Sequence, residues 1–232
     1  MHIRIGLISA AAWTISVTGA APQAIAQTTP ARMEALRGPP GCVPVAERQM
    51  ELGCYIIIET ALGDLPAVPL YWHLDTYPTH ASAEAAKGPR GTVVESMGKV
   101  WLFTIAEAGW RPSGGEHVAE IGPLMANTGT KYTASYMEAI MFPGAESSVH
   151  HHAGPEALYP LAGEECMETP EGRTIGHAGG PSIIVPGYMP HKLTITGTEK
   201  RHSLAIILHD SSQPVAIRTH EHGWSAKELC KG

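Results

Sequence analysis

The stretch GAESSVHHHAGPEALYPLAG, residues 144–163, places three consecutive histidines ahead of a glutamate. Side chains alternate between the two faces of a β-strand, so His150 and His152 point to one face and His151 to the other. A Gly-Pro turn then allows Glu156 to open the next strand and return to the same side. The pattern predicts a His-x-His pair with a carboxylate beside it, and it assigns His151 to the outer face.

A further histidine follows the turn in VPGYMPH, residues 185–191. Three neutral imidazoles and one carboxylate are ligands typical of Fe, Mn, Cu, Ni or Zn. We therefore predict one divalent transition metal per chain, bound by His150, His152, Glu156 and His191. The alternative is a chain in which these residues persist but the site is empty or has only a structural role.

The first of these segments resembles the first motif of the cupin superfamily, G(X)5HXH(X)3–4E(X)6G. Every fixed position of that motif is matched, by Gly144, His150, His152, Glu156 and Gly163. The resemblance covers about residues 130–210 and implies a jelly-roll β-barrel with a metal site of three histidines and one glutamate.

The second cupin motif, G(X)5PXG(X)2H(X)3N, is matched in part. Gly180, Pro186 and His191 have the spacing of the family. The second glycine, however, directly follows the proline, as Gly187, and Ile195 stands where the family has asparagine. Neither departure affects a predicted ligand, so they concern the shape of the turn and not the metal site.

The composition and the regular occurrence of turn residues favour an all-β fold. The chain has 25 glycines and 19 prolines, and many short apolar runs are separated by turn residues, as in antiparallel sandwiches and barrels. We expect a cupin jelly-roll barrel with an additional strand-rich N-terminal region. The expected segments are a signal peptide (1–26), an N-terminal extension (27–53), a strand-rich part packing on the barrel (54–129), the barrel core (130–212) and a C-terminal tail (213–232).

The N-terminus has the three parts of a secretion signal. Arg4 supplies a positive charge, residues 5–17 are apolar, and Ala24-Ile25-Ala26 is a cleavage site. An uncleaved anchor or a buried strand is the alternative. Cleavage predicts a periplasmic or secreted protein that does not contact the membrane after the signal is removed.

The four cysteines can form disulfides in an oxidising compartment. Four cysteines allow three pairings, and the sequence does not choose among them. The preferred pairs are Cys42 with Cys54, which would staple the N-terminal segment, and Cys166 with Cys230, which would pin the tail to the core. Free buried thiols are the alternative.

The net charge and the family resemblance indicate which partners to expect. The net charge is −6 and no basic run is present, which argues against nucleic acid. A small-molecule substrate is expected at the metal. By resemblance to other cupins we also expect a homodimer.

Three hypotheses cover the function. The first is an oxidoreductase, because cupins with this ligand set include quercetinase-like dioxygenases and germin-like oxalate oxidases. The second is a non-redox lyase, isomerase or hydrolase in which the metal polarises a carbonyl or activates water. The third is a binding module for a sugar or a small acid. The predicted catalytic residues are Glu156, as a proton acceptor, and Tyr136.

Overall fold

The computed structural model describes residues 41–218 and 224–231, so the predicted signal peptide and most of the N-terminal extension lie outside the described residues. The described chain is built from β-strands with one short α-helix, α1 (His80–Ala86). The strands are β1 (Val43–Pro44), β2 (Gly53–Asp64), β3 (Leu70–Tyr77), β4 (Gly91–Ser96), β5 (Lys99–Ala106), β6 (Glu116–Leu124), β7 (Lys131–Met141), β8 (His150–His151), β9 (Glu156–Ala162), β10 (Glu164–Thr169), β11 (Gly172–His177), β12 (Ile183–Val185), β13 (Lys192–Thr196), β14 (Arg201–Asp210) and β15 (Ile217–Arg218).

A six-stranded sheet, here called the central sheet, has the order β1-β2-β7-β14-β9-β12. All of its neighbouring strands are antiparallel except β1 and β2. Strand β2, which the sequence analysis placed with the N-terminal part, is hydrogen-bonded along β7 and so belongs to this sheet.

One face of the central sheet lines the inside of the barrel. Two smaller sheets, β11-β10-β13 and β15-β8, form the opposite wall of the barrel. A buried apolar cluster joins the two sides, with Leu158, Ile183 and Val185 from the central sheet and Met167 from β10. Burial of such side chains is the main favourable term in folding. The all-β jelly-roll fold predicted from the sequence is confirmed.

The other face of the central sheet is covered by a four-stranded antiparallel sheet of order β4-β5-β3-β6. Its aromatic residues Trp72 and Phe103 pack in one buried cluster with Tyr136 of β7 and Leu204 of β14. Strands β7 and β14, in the middle of the central sheet, are therefore buried on both faces along most of their length. Helix α1 covers the outer face of the added sheet, where Ala83 is fully buried.

Both preferred disulfides are present. Cys42 is bonded to Cys54 and Cys166 to Cys230. Disulfides persist in oxidising compartments, so the two bonds fit a protein that works outside the reducing cytosol. Within residues 41–218 and 224–231, no helix has the length and hydropathy needed to cross a membrane.

Candidate metal centre

The three predicted histidine ligands meet at one end of the barrel. Each of His150, His152 and His191 offers one ring nitrogen, and these atoms lie within 4.8 Å of one another. Backbone pairing brings the two motifs together, because the amide of His150 donates to His191 at 3.1 Å and the amide of His191 donates back at 2.9 Å. The ring centroids of this pair are 4.3 Å apart.

All three rings are oriented in the same way. Each contacts a backbone carbonyl through Nδ1, namely His150 that of Ser148, His152 that of Val215 and His191 that of Met189. A carbonyl oxygen accepts hydrogen bonds and does not donate them, so Nδ1 carries the hydrogen in each ring. In the neutral imidazole this leaves the lone pair on Nε2, which is the arrangement of a metal-binding histidine.

Glu156, the first residue of β9, lies beside two of these histidines, although it is not a member of the group whose atoms all lie within 4.8 Å of one another. Its Oε2 lies 3.2 Å from Nε2 of His191 and 3.7 Å from Nε2 of His152. These three atoms are buried and have no hydrogen-bond partner within the part of the chain that the structure describes. Buried polar atoms are normally paired, because leaving them unpaired costs about 1–3 kcal/mol each. Lone pairs converging on a common point would be satisfied by a cation, so the donor set fits a transition metal.

The environment sets the charges of the ligands. Burial alone would raise the pKa of Glu156, but its contacts with His152 and His191 outweigh burial and hold that pKa well below the usual range. Burial, assisted by His191, lowers the pKa of His150 to about 4. At neutral pH the carboxylate is therefore ionised and His150 neutral, the forms that bind metals. Burial alone would lower the pKa of His191, but its contact with Glu156 outweighs burial and raises that pKa.

Two glycines allow the two ligand motifs to touch. Gly154 has φ +158°, and a Cβ there would lie 1.9 Å from the carbonyl oxygen of Leu208 in β14. A Cβ on Gly187 would lie 2.8 Å from Cα of Gly154. A side chain at Gly154 would collide with β14 and one at Gly187 would force the two motifs apart, which is the physical reason for glycine in both turns.

The structure does not bring Tyr136 to the histidines. Glu156 is paired with Ile207 of β14, and Ile207 is paired with Ser135 of β7, so Ser135 shares the face of Glu156. Tyr136 therefore lies on the opposite face, where its ring is 5.0 Å from that of Phe103. Burial raises the pKa of its phenol, and its position is that of a core residue between two sheets.

His151 is buried and its ring lies 6.1 Å from that of Tyr188. It is not among the three histidines that form the metal-binding group. The alternation of side chains along a strand accounts for this separation.

A group of hydrogen-bonded polar side chains lies near the site, and no sequence motif predicts it. The hydroxyl of Ser135 donates to Glu59 at 2.8 Å and lies 3.2 Å from Nε2 of His209. Cα of His209 is 3.1 Å from the position of a Cβ on Gly154, between the ligands of the first motif. His209 is an isolated histidine in the sequence, and only the register of β7 with β14 places it here.

The barrel, the position of both motifs and the clustered ligands confirm the resemblance to the cupin superfamily. No protein-family model and no curated protein matches the sequence. Solved structures that match include a cupin-like protein from Thermotoga maritima, with 18% identity, 36% of this chain and 62% of that chain covered, and a TM-score of 0.33.

Two more of the matching structures are a cupin superfamily protein and a lyase. The protein from Desulfitobacterium hafniense has 17% identity, covers 38% of this chain and 74% of its own, and has a TM-score of 0.31. The DMSP lyase from Ruegeria pomeroyi has 18% identity, 39% and 45% coverage, and a TM-score of 0.34. The chain thus spans less than two thirds of the length of the Thermotoga and Ruegeria proteins.

Proposed function

We propose that this protein is a metal-dependent cupin enzyme of the oxidoreductase type that acts on a small organic substrate. The metal would be held by His150, His152, Glu156 and His191. The observation that carries the proposal is the convergence of buried lone pairs on Nε2 of His152, Nε2 of His191 and Oε2 of Glu156.

Four protein ligands leave about two of six octahedral positions for a substrate and O2. When bound, a redox-active metal such as Fe, Mn or Cu supplies the electron-transfer chemistry. The chain's own residues orient the rings through their Nδ1 hydrogen bonds. Val185, which is paired with Glu156, and the apolar cluster behind it give the barrel side of the site an apolar lining. An apolar environment strengthens electrostatic interactions with a bound substrate.

The oxidoreductase hypothesis has more support than Lewis-acid chemistry because the latter requires a proton carrier beside the metal. Glu156 is itself one of the proposed ligands, with its Oε2 3.2 Å from Nε2 of His191. The phenol of Tyr136 lies on the other face of the sheet. Glu156 therefore fits the role of a ligand better than that of a base.

Oxygen uptake after metal exchange tests the proposal. Untagged protein is stripped of metal, reloaded with Fe²⁺, Mn²⁺, Cu²⁺, Ni²⁺ or Zn²⁺, and assayed with flavonols and small carboxylic acids as substrates. We expect O2 consumption with a redox-active metal, none with Zn²⁺, and none for His191→Ala. Substrate loss with Zn²⁺ in the absence of O2 would instead establish a lyase, isomerase or hydrolase. Metal binding with substrate retained and unconverted would indicate a binding module.

The homodimer and the place of action are proposals as well. The end strands of the four-stranded sheet, β4 and β6, each have one edge that pairs with no other described strand, and such edges can pair with a second copy. The two disulfides support export to the periplasm or the medium. Light scattering of the purified protein and fractionation of cells test the two proposals separately.

A further inference from the structure

The chain returns to the metal centre after its last long strand. Strand β15 pairs with β8, so that Arg218 lies opposite His150 and Ile217 opposite His151. Just before β15, the carbonyl of Val215 accepts the Nδ1 hydrogen of His152, a contact between residues sixty-three positions apart. The orientation of one predicted ligand therefore depends on a residue from outside both cupin motifs.

The last described residues bind the sheet that carries the other motif. Cys230 is bonded to Cys166 in the middle strand of β11-β10-β13. The buried carboxylate of Glu168, also on β10, accepts the backbone amide hydrogens of Lys227 and Leu229, the latter at 3.1 Å. Charge-assisted hydrogen bonds of this kind are the strong ones, so the tail is held at several points.

One of the tail contacts reaches the residue beside a ligand. Lys192, which directly follows His191, is buried, and its ammonium lies 3.1 Å from Glu228 of the tail and 2.9 Å from Glu146. A buried ammonium requires such partners. The same C-terminal part of the chain thus contacts His152 of the first motif and the neighbour of His191 in the second.

We propose that the described C-terminal residues, 213–218 and 224–231, form a positioning element of the metal centre that is anchored by the Cys166–Cys230 disulfide. The inference requires the metal site proposed above but not a particular reaction. The pairing of β15 with β8 holds the first described part of the tail beside His150, and the disulfide and the contacts of Glu168 hold residues 227–230 against β10. Loss of a group that orients a metal ligand typically weakens metal binding about 10–100-fold.

Two disulfide variants provide a matched test. Cys166→Ser/Cys230→Ser releases the tail, and Cys42→Ser/Cys54→Ser removes the disulfide that does not contact the site. Co²⁺ is the probe, because its visible spectrum reports the number and arrangement of its ligands. We expect Co²⁺ to bind the first variant about tenfold more weakly than wild type, with altered absorption bands. The second variant should match wild type in affinity and spectrum.

Glu168→Ala provides a second test should the tail variant fail to fold, since it loosens the tail and keeps both disulfides. It should weaken Co²⁺ binding, and Glu168→Gln, which retains one acceptor oxygen, should restore part of the affinity. Unchanged affinity and spectrum in the folded variants, with only a lower melting temperature, would overturn the inference and make the tail a structural clamp. Failure of wild type itself to bind Co²⁺ would instead refute the proposed metal site.

Discussion

The molecule contains two clusters of histidines and carboxylates, and they differ in how their polar atoms are satisfied. One is the metal centre at the end of the barrel. The other lies on the outer face of the four-stranded sheet and consists of His73, Asp75, Arg111, His117 and Glu120, here called the sheet cluster.

The groups of the sheet cluster pair with one another. Oδ1 of Asp75 lies 2.9 Å from Nδ1 of His117, and Arg111 donates to Glu120 at 3.0 Å. His73 contacts the carbonyl of Glu107 through Nε2 at 2.9 Å. Oδ2 of Asp75 is the exception, since it is buried without a hydrogen-bond partner in the described residues.

The difference shows what distinguishes a metal site from a structural network. In the sheet cluster the guanidinium of Arg111 supplies positive charge to the carboxylate of Glu120. In the metal centre no arginine or lysine forms an ion pair with Glu156 within the described chain, and the ring nitrogens present lone pairs to each other. Residue types alone do not separate the two clusters, whereas their hydrogen bonds do.

The largest expected difference concerns stabilisation by metal. A cation at about 100 times its Kd should stabilise the folded protein by about 2.7 kcal/mol, or about 5–10 °C in Tm for a chain of this size. Thermal unfolding with and without Mn²⁺ measures the shift. We expect it in wild type and in His73→Gln and not in His191→Ala. An equal shift in all three proteins would mean that the cation binds elsewhere.

Neutralising one carboxylate in each cluster should separate affinity from stability. Glu156→Gln keeps the shape of the side chain but removes a charged ligand, so we expect metal binding to weaken about 10–100-fold. Glu120→Gln loses its charged contact with Arg111 at a partly exposed site, which should cost about 0–1 kcal/mol of stability and leave metal affinity unchanged. Isothermal titration and urea unfolding measure the two effects. Weaker metal binding in Glu120→Gln together with unchanged metal binding in Glu156→Gln would mean that the sheet cluster, and not the barrel site, holds the metal.

The sheet cluster should also make stability depend on pH. Burial lowers the pKa of His73, so the unfolded chain binds this proton more readily than the folded chain. The contribution of the neutral ring is complete above about pH 6.5 and is lost as the pH falls below that value. Urea unfolding between pH 5 and 8 should show wild type losing stability relative to His73→Gln toward low pH. A constant difference between the two proteins would contradict this account.

Tyr136→Phe should have the smallest effect on the metal centre. Its hydroxyl lies in the core between two sheets, so metal affinity and any turnover should equal those of wild type. Competition titration with Co²⁺ and the oxygen assay measure both. A substantial loss of turnover in a variant that still binds metal would restore the catalytic role predicted from the sequence.

The sequence predicted the site best where residues of metal-binding type stand at a spacing that fixes their relative positions. The alternation of side chains in a strand separated His151 from His150 and His152, and the spacing of Gly180, Pro186 and His191 within the second motif identified His191. Both disulfides agree with the preferred pairing, although the residues alone left three possibilities.

Contacts set by register and by distant segments could not be predicted. The assignment of Tyr136 depended on which face of β7 lines the barrel, and both faces of β7 are buried because a second sheet covers one of them. His209 reaches the site only through the pairing of β14 with its neighbours. The contact of Val215 with His152 joins positions with no local pattern in common.

The metal content of untagged wild-type protein and of His152→Ala, measured by elemental analysis at matched concentration, tests the central claim most directly. We predict about one equivalent of Fe, Mn, Cu, Ni or Zn per wild-type chain, as in mononuclear sites of this donor set, and loss of that metal in the variant. Wild-type protein that contains no metal and takes up none when it is supplied would contradict the account.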